Sequence, residues 1–422
     1  MSDPQRVVIT GLGPVTSIGI GAAALWEAMT AGRSNVVRRR LLVDVAAAAQ
    51  IPVAAMPPLS DVPGLDALAS FLSGQGCEAY RDLGYSLLAT ELALADAKLR
   101  YDRDHNAIGV VQAFEAPGIE RAVAQLFEII STPVPMDAPP QLYDVLAPRF
   151  YNAQPFLYVH LVSKAFGLHG FSTSVHNACS SGAFAIEVAA ERIRSGAADV
   201  MIVVGGESFD TAVRLEWFRR LDLYADEQIM RPFDEDAAGF YVGEGAGAIV
   251  LESQAHAAAR GATAYGEYVG GAFAQQGWKQ AYPDVRAGRL CEVIARAMSS
   301  CGVAAGDLDL IVPHGAATTL SDKYESTCFA RALKGEKTSA VATVFKPYFG
   351  HMLAASGVVE VIATMLAMRH GHIPATLHTR AERAQFAVPL VTGTGMDRTV
   401  KTVLKLSTGF TGHDAAGVYR AV

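Results

Sequence analysis

Short β-branched runs alternate along this chain with longer alanine-rich windows whose apolar residues recur every three or four positions. That alternation predicts an α/β protein with buried strands. The first strand reads Val7-Val8-Ile9-Thr10, closed by the turn signals Gly11, Gly13 and Pro14, and a helix around Ala22 to Ala31 follows, carrying Trp26. A clearer unit comes later. A helix from about Ser180 to Ser195 places Ala183, Ile186, Ala190 and Ile193 on one side, and Gly196 leads into the strand Val200-Met201-Ile202-Val203-Val204. Ala248-Ile249-Val250-Leu251 is a further strand.

The second half repeats the same grammar. A helix covers Val293 to Met298, a strand Leu310-Ile311-Val312, a long helix Val358 to Met368, and a last strand Thr402-Val403-Leu404-Lys405-Leu406. There is no short tandem period. Two halves of similar content point to a duplication with its seam near residues 255–265, giving an N-terminal half over 1–258 and a C-terminal half over 259–422. Residues 115–157, rich in Pro, Asp and aromatic side chains, read as an insertion covering the core. Low complexity is confined to short runs such as Ala46 to Ala49.

At 422 residues, 51% apolar and 18% charged, the chain has ample material for a core and is too apolar for disorder. Its 35 Lys and Arg against 42 Asp and Glu give a net charge of −7, which argues against a general nucleic-acid or anionic-membrane binder. Mean hydropathy is +0.22, yet the apolar runs fall short of the 18 or so residues that a spanning helix needs. The opening MSDPQRVVIT has no basic segment leading into an apolar stretch, so a cytoplasmic protein is expected. Cysteines at 77, 179, 291, 301 and 328 form neither a disulfide framework nor a metal spacing, consistent with a reducing compartment.

The strongest chemical signal is His176-Asn177-Ala178-Cys179-Ser180-Ser181-Gly182-Ala183-Phe184, where a cysteine sits as a turn of small residues becomes a helix. A thiolate there would gain from the helix dipole and from free backbone N–H groups, and small neighbours leave room for an acyl group on sulfur. The alternative, a buried structural cysteine, is the reading for Cys77, Cys291, Cys301 and Cys328. His314 in Val312-Pro313-His314-Gly315 stands just after a buried strand, and His351 in Lys346-Pro347-Tyr348-Phe349-Gly350-His351 stands at the entrance of the long helix. Each alone reads equally well as structural; together with the cysteine they form a coherent set.

Competing motifs fare worse. Gly11-Leu12-Gly13-Pro14 lacks the third glycine of a dinucleotide fingerprint, and Gly243-Glu244-Gly245-Ala246-Gly247 has no following Lys-Ser or Lys-Thr; both are expected to be tight turns. His370-Gly371-His372 has no companion at ligand spacing and reads as a solvated helix end. Ser180 and Ser181 fit no nucleophile-elbow pattern.

Taken together, these segments resemble the elongating β-ketoacyl-(acyl carrier protein) synthases of the thiolase-like superfamily. The resemblance runs nearly end to end, through Val7 to Gly13, Ala178-Cys179-Ser180-Ser181-Gly182, Arg231-Pro232-Phe233-Asp234, Gly243 to Gly247, His314-Gly315, Lys346 with Gly350-His351, and Gly409-Phe410. It implies a duplicated five-layer α/β/α/β/α fold and a homodimer, or a heterodimer with a chain-length-factor-like subunit. It implies that Cys179 carries an acyl group from a carrier-protein thioester, while His314 and His351 stabilise the enolate of a decarboxylating malonyl-type extender. By the same resemblance, backbone N–H groups of Cys179 and Phe410 form the oxyanion hole, and Lys346 and Glu360 are a buried pair balancing charge. Thr318 contacts the phosphopantetheine arm, and Phe410 gates the acyl chamber beside Gly409. No metal, nucleotide or redox cofactor is implied. Two histidines separate this pattern from initiating synthases, which pair histidine with asparagine, and from thiolases, which use a second cysteine near the C-terminus. A non-catalytic chain-length-factor-like partner is the alternative, and Cys179 speaks against it.

Some positions depart from the family pattern. Ala316 stands where a threonine follows His-Gly, and Ala237 where an arginine is usual. Thr408 replaces a bulky outer gate residue and Thr411 a glycine of the mobile gate loop, pointing to altered gating and a specialised acyl substrate, as in polyketide or unusual lipid synthesis. Phe114 aligns with a residue at the acyl pocket floor. An acidic carrier needs a cationic landing site, for which Arg38-Arg39-Arg40 and Arg219-Arg220 are candidates; plain solvated charge explains them equally well.

Overall fold

The computed structural model describes residues 5–44, 47–116, 118–131, 154–286, 288–333 and 335–422. Much of the insertion read at 115–157, and part of the alanine run at Ala46, lie outside them. The first half contributes strands β1 (Val7–Thr16), β2 (Gly109–Ala113), β3 (Ser172–Val175), β4 (Val200–Glu207) and β5 (Gly245–Ser253). The second contributes β6 (Gly266–Gln275), β7 (Leu310–Val312), β8 (Val341–Ala342), β9 (Thr402–Gly409) and β10 (His413–Arg420). In space they run 3-2-4-5-1 and then 6-10-9-7-8, with β1 and β6 antiparallel at the join, Val7 opposite Tyr268. The second strand of each half is parallel to its third and fourth, and the fourth is antiparallel to the fifth. One topology therefore occurs twice.

Alternation within the strands explains the layers, because successive side chains leave opposite faces of a sheet. In β4, Met201 and Val203 face a central core with Leu310, Val312 and Val403 of the other half. Val200, Ile202 and Val204 face an outer core beneath α1 (Arg81–Asp96) and α2 (Pro155–Phe166). In the second half Ile311, Leu404 and Leu406 face α4 (Arg289–Ser300) and α5 (Thr319–Leu333). The central core is filled by α3 (Ser181–Arg194) and α6 (Leu353–His370), completing the five-layer thiolase-like fold. Every residue of α6 from Leu353 to Met368 is buried. By length and composition α6 could cross a membrane, which corrects the expectation that no apolar run is long enough; 89% of it is buried inside this protein as the middle layer.

Three further expectations need correction. β1 does not end at Gly11 but continues to Thr16, with a bulge between Ile9 and Gly11. A Cβ at Gly11 or Gly13 would collide with the carbonyl oxygens of Ala93 or Ala89 on α1, so these glycines serve close helix packing rather than a turn. Gly245 to Gly247 likewise lie in β5, and Glu244 beside them is fully buried, held by Arg39 at 2.7 Å and Arg81 at 2.6 Å. Finally, Cys291 on α4 and Cys328 on α5 are joined by a disulfide. Their 37-residue separation hid a pairing that the side-by-side packing of the two helices creates. Cys77, Cys179 and Cys301 are free.

Candidate active site

The crossing of α3 and α6 sets the geometry. Gly182 and Gly357 face each other there: a Cβ on Gly182 would lie 2.9 Å from Val358 N, and one on Gly357 would lie 2.9 Å from Ala183 N. Such contacts admit only glycine, so the N-terminal ends of the two helices are drawn together. Cys179 precedes α3 and His351 precedes α6. Ala178, at φ +49°, turns the chain through the left-handed region, at a cost of roughly 1–2 kcal/mol. Its carbonyl accepts from Ser181 Oγ at 2.6 Å, which closes the turn that presents the sulfur.

The other groups arrive on neighbouring strands. His314 lies two residues beyond β7 and Phe410 directly beyond β9, and these strands are parallel partners with Val312 opposite Lys405. A cleft of roughly 710 Å³, its open mouth included, is lined by Cys179, His314, Thr318, His351, Thr408, Gly409, Phe410 and Thr411. Ala316, Phe240, Tyr324, Gln276, Gln280 and Glu325 are also among the wall residues. The two imidazoles are 5.3 Å apart between centroids and inclined at 76°. Lys346 and Glu360, an ion pair at 2.5 Å with both side chains buried, stand behind them. Phe114 is not part of this wall; it packs edge-on to Tyr158 at 5.1 Å in the outer core of the first half.

Burial decides the protonation of the site. His314 and His351 lie well below the ordinary imidazole range, because desolvation disfavours their charged forms and the Lys346 ammonium adds repulsion. Lys346 Nζ stands 2.5 Å from the carbonyl oxygen of His314 and 3.5 Å from its Nδ1. An ammonium only donates, so that contact leaves the His314 proton on Nε2, facing away from Lys346. Ser356 Oγ is 2.9 Å from His351 Nδ1, and a hydroxyl donated there gives the same tautomer. The resting Cys179 thiol is pushed well above its usual value by burial, with Glu115 and Glu207 adding repulsion and Lys346 pulling the other way. The helix start does not outweigh desolvation, which corrects the expectation of a ready thiolate.

Aromatic packing anchors the loop that follows β9. The Phe410 ring stacks on Phe218 at 5.5 Å and meets Trp217 edge-on at 5.5 Å. Thr411 follows at φ +62°, its N–H donating to Gln280 O at 2.5 Å and its carbonyl accepting from Gln275 Nε2 at 2.6 Å. Thr318 Oγ1 is buried in the cleft wall without a hydrogen-bond partner. Of the basic candidates, Arg39 is committed to Glu244, Arg38 donates to Asp226 O at 2.5 Å, and Arg219 bridges Glu216 at 2.6 Å and Asp226 at 3.0 Å. Arg40 and Arg220 are exposed.

Three contributors escape a reading of the sequence. Glu325 on α5 accepts from the backbone N–H of His314 and, at 2.9 Å, of Gly315; burial raises its carboxyl to about 7. Ser356 orients His351. Lys405, 2.8 Å from Glu360, brings a second buried ammonium. Only Lys405 left a trace, as a charge inside an apolar strand.

A thiol and two neutral imidazoles converging on one cleft suit acyl capture and enolate stabilisation, and the comparisons agree. The chain belongs to the β-ketoacyl synthase family, the condensing acyltransferases: it matches the β-ketoacyl synthase N-terminal domain over residues 4–257 and the C-terminal domain over residues 265–380. It is 31% identical to the 3-oxoacyl-[acyl-carrier-protein] synthase 2 of Rhizobium meliloti (strain 1021), covering 99% of both chains. It is 29% identical to the tetracenomycin polyketide synthase ketoacyl synthase alpha subunit of Streptomyces glaucescens, over 98% of this chain and 96% of that one. Among solved structures it is similar to the ishigamide ketosynthase/chain length factor, with TM-score 0.81 and 25% identity, over 99% of this chain and 100% of that one.

Proposed function

We propose that this chain extends carrier-bound acyl thioesters by decarboxylative Claisen condensation, with Cys179 as nucleophile and His314 and His351 as the enolate-stabilising pair. The observation that carries this reading is that all three side chains line one cleft, and that both imidazoles are held neutral there.

In the first half-reaction the Cys179 sulfur attacks the carbonyl of an acyl thioester on the phosphopantetheine arm of a carrier protein. The carrier thiol leaves with the proton that Cys179 gives up, and the acyl group remains on Cys179. In the second, a malonyl-type thioester enters past Thr318, and the Nε2–H groups of His314 and His351 donate to its thioester oxygen. Carbon dioxide departs, and the resulting enolate carbon attacks the acyl-Cys179 carbonyl. Backbone N–H groups of Cys179 and Phe410 receive the tetrahedral oxyanion. Its collapse yields the β-ketoacyl carrier thioester and a Cys179 thiolate, which takes a proton from solvent. Neutral imidazoles fit this role because they donate to the enolate oxygen without protonating its carbon.

The residues divide by half, with the nucleophile on 1–258 and the histidines on 259–422. The names of the relatives support an acyl carrier protein as substrate carrier and polyketide or specialised fatty-acid synthesis as the setting. The ketosynthase/chain length factor likeness supports a dimer, either of two copies or with a chain-length-factor-like subunit. We place the enzyme in the cytoplasm, where carrier-bound intermediates are made.

Intact-mass measurement after incubation with acyl carrier thioesters tests the assignment. The expected result is one acyl adduct on the native chain and none on Cys179→Ala. An adduct that survives the substitution overturns it, and the acyl masses accepted identify the substrate class.

A further inference from the structure

One buried cation at the site has no task in the mechanism above. Lys405 occupies the middle of β9 between Leu404 and Leu406, and its side chain is 2% exposed. Its Nζ is 2.8 Å from Glu360 Oε2, 2.5 Å from Ser407 Oγ and 3.2 Å from the carbonyl oxygen of Leu406. The other oxygen of Glu360 receives Lys346 Nζ at 2.5 Å. One carboxylate is thus bridged by two ammonium groups arriving from different elements, in a place where each ion pays a desolvation penalty. The Lys346–Glu360 pair would balance by itself. A third ion is costly, and the fold nevertheless satisfies it with three partners.

The placement shows what the extra cation reaches. In the β7–β9 register Lys405 is opposite Val312, two residues before His314, and five residues further along its own strand the chain becomes Phe410. Glu360 rises from α6, whose N-terminal approach carries His351. The charged and titratable groups facing the cluster are Lys346, Glu360 on α6, Glu325 on α5, His314 and His351.

We propose that Lys405 is a positioning residue: by anchoring Oε2 of Glu360 it turns Oε1 toward Lys346, which fixes Lys346 against His314, and it holds surplus positive charge behind both imidazoles. Glu360 bound on one side only would be free to rotate about its terminal torsion and release Lys346 from the His314 carbonyl. Both imidazoles sit well below their ordinary range, with Lys405 contributing after burial and Lys346, and at His314 after His351 as well. Removing that charge lets them take up protons at higher pH, and a protonated imidazole would protonate the carbanion that condensation needs.

This inference rests on the reading that His314 and His351 serve the extender thioester, and the test separates the two. Release of carbon dioxide from a malonyl carrier thioester, and the yield of condensed product, are followed against pH for the full-length native chain, K405M, K405Q and K405R. K405Q keeps a neutral donor for Glu360 and is included so that a poorly folding K405M does not end the comparison. The expected result is an acid limb of condensation displaced upward by about one pH unit in K405M and K405Q. With it goes a fall in kcat larger than any rise in KM for the malonyl thioester, while K405R keeps the native profile. An acid limb at the native position in a folded K405M or K405Q overturns the role of Lys405. H314A serves as the reference: native decarboxylation in H314A overturns the histidine assignment itself, whereas its loss in H314A with an unmoved limb in K405Q overturns only the present inference.

Discussion

Gly409 and Asn177 meet across the cleft so closely that a Cβ at position 409 would lie 2.7 Å from the Asn177 carbonyl oxygen and 3.0 Å from Ser180 Oγ. The end of β9 therefore rests directly on the turn that carries Cys179. Gly409→Ala must push the two apart and carry the Phe410 N–H away from the acyl carbonyl. Condensation is expected to fall by about 10²-fold, the scale of losing one oxyanion donor, while the circular dichroism spectrum stays native. A variant turning over at the native rate would remove Phe410 from the oxyanion hole.

Thr411, in the loop after β9, holds a left-handed conformation at φ +62° that glycine adopts freely. Thr411→Gly relieves about 1–2 kcal/mol of backbone strain and loosens the loop tied to Gln275 and Gln280. Single-turnover acylation of Cys179 is expected to speed up and to accept bulkier acyl groups. A rate and range identical to the native chain would mean that this loop does not limit entry.

Glu207, Glu325 and Asp414 are among the buried carboxyls that desolvation raises far above their usual range, to about 8, about 7 and about 7. The folded state then binds more protons than the unfolded one between about pH 4.3, where free carboxyls titrate, and these values. Their contribution to stability is full below the unfolded value and is lost as pH rises through the folded values. Protonation of unfolded histidines, several of which the fold holds neutral, opposes this slope near pH 6.5 and has largely faded by about pH 7.5. The melting temperature is expected to fall from about pH 7.5 to 8.5, and Glu207→Gln to flatten that fall. A melting temperature rising over this window would contradict the assignment.

The Cys291–Cys328 link makes a countable prediction. Alkylation of the denatured, unreduced chain should modify the three cysteines that are free, and reduction should expose the remaining two of the five. Closing a loop of this size stabilises by about 3–4 kcal/mol, so reductant should lower the melting temperature by several degrees. Five modified cysteines without reduction would refute the bridge.

Much of the layer structure was legible because strands buried on both faces betray themselves as unbroken apolar runs. Leu310-Ile311-Val312 is a strand at those limits, and the helix read from Ser180 to Ser195 spans Ser181–Arg194. The glycine motifs misled because glycine signals either a turn or a close neighbour, and only the packed partners tell which: α1 for Gly11 and Gly13, β1 and α6 for Gly245 and Gly247. Cys179, His314 and His351 were readable because each stands beside a recognisable element end, Cys179 and His351 before a helix and His314 after a strand. Glu325 and Ser356 were not, since each acts through a contact made when distant segments pack. The thiol's protonation also depends on Glu115 and Glu207, which approach it only in the folded chain.

The twofold recurrence of one topology bears on where the chemistry sits. Cys179 lies between the third strand and the middle-layer helix of the first half, and His351 lies between the third strand and the middle-layer helix of the second. They are counterparts, as are Glu115 and His314, each just beyond the second strand of its half. A perfectly symmetric ancestor would present the same group twice and could only attack from both sides or polarise from both sides. The matched positions of this chain carry different groups, so the pseudo-dyad is a polar site: in the proposed mechanism one copy delivers the electron pair and the other receives the charge.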